Sequence, residues 1–101
     1  MEYHKLVRDR IPEIIRENGR ISITKQLDDS MYATALRKKL EEEVAEYFES
    51  GEVLELVDIL EVIYALAALE KVNSTQLEAM REQKYMERGG FKERVFLLKV
   101  E

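Results

Sequence analysis

Residues 40–69 read LEEEVAEYFESGEVLELVDILEVIYALAAL, and this stretch decides the fold. Leu36, Leu40, Val44 and Tyr47 recur every three or four residues, which is one apolar stripe of a helix over about 30–50. Gly51 ends that helix and allows a tight turn. A second helix follows over about 52–71. Within it, residues 53–69 hold 14 apolar side chains and only three others, Glu55, Asp58 and Glu61. A membrane span is a poor reading, because 17 residues is short. Three acids near a bilayer centre would also cost ~2.5–3.5 kcal/mol each. A helix apolar almost all round must instead be covered on most sides. Two flanking helices in one 101-residue chain can hardly cover it, so a homo-oligomer is expected, a homodimer or homotetramer.

On the C-terminal side, Asn73-Ser74-Thr75 offers a fresh helix start, with Thr75 and Glu78 spaced as a capping box, and that helix reaches about Arg88. On the N-terminal side, Asp9 is placed to cap a short helix with Pro12 in its first turn. It runs to about Asn18 and stops at Gly19. Ile21, Ile23 and Leu27 roughly alternate with Ser22, Thr24 and Gln26, a modest strand signal, and the tail from Arg94 to Val100 reads as a second short strand. The expected architecture is mainly α, one domain over 1–101, with a small two-stranded β appendage and completion by oligomerisation.

With no cysteine, disulfide scaffolds and Cys-based zinc sites or nucleophiles are excluded. The start, MEYHKLVRDR, carries no apolar signal region, so a cytoplasmic location is the default expectation. A net charge of −5 argues against a general nucleic-acid binder. That charge is concentrated. Residues 41–61 hold nine acids and no Lys or Arg, while the other 80 residues hold 12 acids and 16 bases.

Within the acidic segment, Glu43 lies about 20–60° around the helix from Leu36, Leu40 and Tyr47, at ~100° per residue. Glu46 falls about 60° further round. These two carboxylates therefore edge the core stripe. Glu55 and Asp58 repeat the i,i+3 spacing among Ile59, Val62, Leu66 and Leu69, on a face expected to be buried. Burying four ionised carboxylates costs several kcal/mol each unless a cation neutralises them. A hard divalent cation does this well, and Mg²⁺ commonly leaves positions for substrate phosphates. Phosphoryl and nucleotidyl displacements are the reactions that use such a cage. The competing explanation is salt bridging between subunits, with Arg37, Lys38 or Lys39 as partners.

Read together, these residues resemble a known family. Glu42-Glu43-x-x-Glu46 followed by Glu55-x-x-Asp58 is similar to the EExxE…ExxD signature of the MazG-like nucleoside triphosphate pyrophosphohydrolases, an all-α superfamily. The run from Lys5 to Pro12, KLVRDRIP, resembles the KLVRDxIP opening of a small single-domain branch of that superfamily. Lys84-Tyr85-x-x-Arg88-Gly89-Gly90-Phe91 resembles its closing element. The resemblance implies hydrolysis of a nucleoside triphosphate or related nucleotide between the α and β phosphates, giving a monophosphate and pyrophosphate. It implies Mg²⁺, with Mn²⁺ as a substitute, held by Glu43, Glu46, Glu55 and Asp58. Glu42 would support the site by orienting the attacking water, and Glu42 and Glu61 both stand as general-base candidates. Removal of aberrant nucleotides and phosphoribosyl-ATP hydrolysis are both roles found in the superfamily.

Two departures from the signature are visible. Only eight residues, 47–54, separate the two motifs, and Glu61 extends the second to ExxDxxE. A triphosphate site also needs cations for phosphate oxygens. Lys39 lies one turn before Glu43. Lys84 and Arg88 are i,i+4 just before Gly89-Gly90, where backbone N–H groups can approach an anion. Lys5, Arg8 and Arg10 could close the site from the N-terminus. A non-catalytic helical oligomerisation module is the reading of a different class, and under it Mg²⁺ would neither bind nor stabilise.

Overall fold

The computed structural model describes residues 3–101. It holds four helices: α1 over Ile11–Glu17, α2 over Asp29–Ser50, α3 over Val53–Leu69 and α4 over Ser74–Arg88. No strand forms among the described residues, so the chain is all-helical. None of the helices is long and apolar enough to cross a membrane.

Local chemistry sets each boundary. The Asp28 carboxylate accepts the Met31 backbone N–H at 2.8 Å and starts α2. Gly51 closes it in the left-handed conformation, φ 69°, a backbone state costly for residues with a Cβ, and its N–H reaches the Tyr47 carbonyl at 2.7 Å. The two-residue link Gly51-Glu52 then folds α3 back along α2, and this hairpin is the main packing unit of the chain.

Two predicted caps are corrected. The N-cap of α1 is Arg10, without a side-chain cap, because Asp9 belongs to a turn closed by Ile11 N–H on the Arg8 carbonyl at 3.0 Å. Pro12 does sit in the first turn. The capping box of α4 is Asn73 with Gln76, two residues before the predicted Thr75–Glu78 pair. Asn73 Oδ1 accepts the Gln76 N–H at 2.8 Å, and Gln76 Oε1 accepts the Asn73 N–H at 2.9 Å. Asn is the stronger N-cap residue, and Glu78 is engaged by Arg81 at 2.7 Å.

The β appendage is also corrected. Residues 21–27 and 94–100 are neither helical nor paired. A strand needs a partner edge to satisfy its backbone, and no ladder joins these two segments among the described residues.

Burial is concentrated at the α2–α3 seam, where Leu36 and Val62 are enclosed together with Glu43. Elsewhere the chain is open. α3 is covered by α2 on one side, leaving Val53, Leu54, Leu56 and Val57 exposed, and α4 touches α3 but neither α1 nor α2. The face expected to bury Glu55 and Asp58 is accordingly only half-buried. The radius of gyration is 17.8 Å, against about 13 Å for a compact chain of this length. The accessible surface is 9756 Å², against about 6,000 Å² for a compact monomer of this mass.

Candidate metal centre

The hairpin brings the two predicted acid pairs together. α2 supplies Glu42, Glu43 and Glu46, and α3 supplies Glu55 and Asp58. Glu43, Glu55 and Asp58 each place an oxygen within 4.8 Å of the others, and so do Glu42, Glu43 and Glu46. Glu43 belongs to both groups and is the pivot. The reason lies in the helix register: Glu43 shares the stripe with Leu36, two turns earlier, and so faces α3.

Glu43 is 6% exposed, the only buried charged residue among those described. Its Oε1 lies 3.2 Å from Lys39 Nζ, whereas Oε2 is enclosed with no hydrogen-bond partner. Burial holds its pKa above the ordinary glutamate value. The Glu46 charge adds to this, and Lys39 opposes it only in part. Glu42, beside it, moves the other way. Burial pushes it up, but the hydrogen bond from Lys5 and the charge of Lys39 outweigh that and bring it below the ordinary value. Lys5 Nζ is 3.3 Å from Glu42 Oε1 and Lys39 Nζ 3.5 Å from Oε2.

The third cation is Arg8, whose Nη2 lies 2.6 Å from Asp58 Oδ1. Among the described residues, three cations, Lys5, Arg8 and Lys39, pair with three of the five carboxylates, Glu42, Glu43 and Asp58. An orphaned buried carboxylate oxygen and an all-oxygen donor set fit a hard divalent cation.

The remaining predicted residues fall outside this cluster. Glu61 is exposed and belongs to neither acid group. Lys84 and Arg88 are exposed on α4, a helix that does not touch α2. Arg10 is engaged locally by Glu13 at 3.1 Å. Lys5, predicted for substrate, also lies 5.9 Å from the Tyr3 ring centre, a cation–π distance. A shallow groove beside Arg8, lined in part by Leu6, Pro12, Thr24, Leu27 and Tyr32, was not anticipated. Its walls come from three separated segments, which no local pattern links.

No family model matches the chain, and no solved structure matches it. A protein of Mycolicibacterium smegmatis, itself called uncharacterized, is 57% identical to it over 42 residues. The match covers 42% of this chain and 43% of that protein, so the similarity spans less than half of each.

Proposed function

We propose that this chain is a divalent-metal-dependent nucleotide pyrophosphohydrolase of the MazG-like, all-α kind, cleaving between the α and β phosphates. One observation carries the reading. Glu43, Glu55 and Asp58 converge from two helices, and one buried oxygen of Glu43 has no hydrogen-bond partner among the described residues. Such an oxygen costs stability, and a bound cation gives it a partner.

Glu43, Glu46, Glu55 and Asp58 would hold Mg²⁺, or Mn²⁺ in its place. When bound, the ion supplies neutralisation of phosphate charge and a lower pKa for an attacking water. Glu42 remains ionised beside the site, held by Lys5 and Lys39, which suits it to accept a hydrogen bond from that water. Glu61 is the alternative base, one turn along α3 and open to solvent. Arg8 and Lys39 stand next to the acids with N–H groups that phosphate oxygens could take over. Lys84 and Arg88 would join the site only across an assembly, a homodimer or homotetramer, in the cytoplasm.

A second reading draws on the ion pairs themselves. Lys5, Arg8 and Lys39 already compensate three acids, as a purely structural network in an oligomerisation module would. One assay separates the two. The protein is incubated with Mg²⁺ and a panel of ordinary and modified nucleoside triphosphates and phosphoribosyl-ATP, and pyrophosphate and orthophosphate are measured separately. Pyrophosphate release that disappears in Glu43→Gln is expected. Orthophosphate alone, or no turnover across the panel, overturns the proposal.

A further inference from the structure

Two segments outside the helices are apolar and uncovered. In residues 21–27, Ile21 and Ile23 are 91% and 96% exposed, while Ser22 between them is half-buried with its Oγ enclosed. The next three residues, 24–26, are exposed as well, and Leu27 is half-buried, so most of this segment lies open. In residues 95–100, Val95, Phe96, Leu97, Leu98 and Val100 are all largely exposed, and the segment is rich in residues that favour strands. Neither has a strand partner among the described residues. The tail follows α4, which touches neither α1 nor α2, so the helix that carries it does not return to the N-terminal half.

We propose that residues 95–100 of one copy pair as a β-strand with residues 21–27 of a second copy, building between chains the small sheet that neither builds alone. The inference does not rest on the nucleotide reading. The surface arithmetic favours a second copy as the occupant. The chain exposes about 3,800 Å² more than a compact monomer of its mass, several times the ~800 Å² that each partner covers in an ordinary interface. A two-fold exchange uses both segments twice. Tail-to-tail pairing would leave Ile21 and Ile23 in water. A foreign peptide would have to supply a complement that this chain already carries in equal number.

The absence of cysteine makes the test clean. Full-length Ile23→Cys, ¹⁵N-labelled, is mixed with unlabelled full-length Leu98→Cys under mild oxidation, and products are weighed by mass spectrometry. Met86→Cys replaces Leu98→Cys in the control, since Met86 is equally exposed but lies on α4. Heavy–light disulfide dimers forming roughly tenfold faster than the control are expected, from the raised effective concentration of paired segments. A rate equal to the control overturns the proposal, and so does a predominance of Leu98→Cys homodimers. Amide exchange on the unmodified chain gives an independent reading. Protection of residues 95–100 should rise with protein concentration, and protection that is absent or independent of concentration overturns the proposal.

Discussion

The Arg8 guanidinium lies 2.6 Å from the Asp58 carboxylate, joining the N-terminal segment to the middle of α3 across 50 positions of sequence. Both side chains are half-exposed, so the pair contributes at most about 1 kcal/mol to stability. Its larger effect falls on Asp58, which it occupies. Arg8→Ala should therefore lower the unfolding free energy only slightly, by up to ~1 kcal/mol, while increasing the stabilisation that added Mg²⁺ provides. Parallel denaturation curves with and without Mg²⁺ measure both effects.

Glu43 and Glu42 are neighbours with opposite shifts, and their pH dependences should oppose each other. The fold raises the Glu43 pKa. Its contribution is therefore full below the ordinary glutamate value and is lost as pH rises through the raised one. The fold lowers the Glu42 pKa. Its contribution is full above the ordinary value and is lost as pH falls through the lowered one. In metal-free buffer at neutral pH, Glu43→Gln should be more stable than the parent and Glu42→Gln less stable. Both differences should shrink at a pH about one unit below the ordinary glutamate value. Urea midpoints across that range would show the crossing, and shifts of the same sign in the two variants would refute it.

Divalent cation should stabilise the parent chain. At a concentration about 100-fold above its Kd, a single bound ion adds ~2.7 kcal/mol. Asp58→Asn removes one oxygen charge from the cluster and should abolish most of that gain while leaving the helical circular dichroism intact. Thermal melts with Mg²⁺ and with a chelator make the comparison.

Leu36 is the most enclosed apolar side chain, at 3% exposure against the α2–α3 seam. Leu36→Ala should cost ~2–4 kcal/mol. With so few buried side chains to share the loss, the denaturation midpoint should move further than for any substitution on α4.

Asn73 closes a capping box at the start of α4. Asn73→Ala should cost ~1 kcal/mol. Because α4 packs on α3 alone, the loss should be local. Amide exchange in residues 74–80 should accelerate while α2 remains protected.

The hairpin was legible in the sequence because its determinants are local. The 3.6-residue stripe, the Gly51 end and the approach of the two acid pairs follow from spacing within one connected stretch, whereas the Asp28 cap emerged only from the structure. The reach of Lys39 to Glu43 was legible for the same reason, being one helical turn. The Arg8–Asp58 pair was not, since nothing near either residue indicates the other. The strand segments failed similarly, because their pattern is local but pairing is not. Asn73 was passed over for Thr75 because both spacings satisfy the same motif, and only the stronger acceptor prevails. Glu61 shares the apolar helix with Asp58, yet one turn of α3 is enough to place it in solvent.

A carboxylate buried in the seam of the hairpin has a consequence for anyone who tries to engineer this chain. Replacing Glu43 with Met or Leu would fill the seam with matching apolar volume and remove the desolvation cost. Such a variant should gain thermal tolerance, and a search driven by melting temperature alone would choose position 43 early. It would thereby discard the side chain common to both acid groups. Thermostabilisation of this protein is better directed at the exposed faces of α3 and α4, with position 43 held constant.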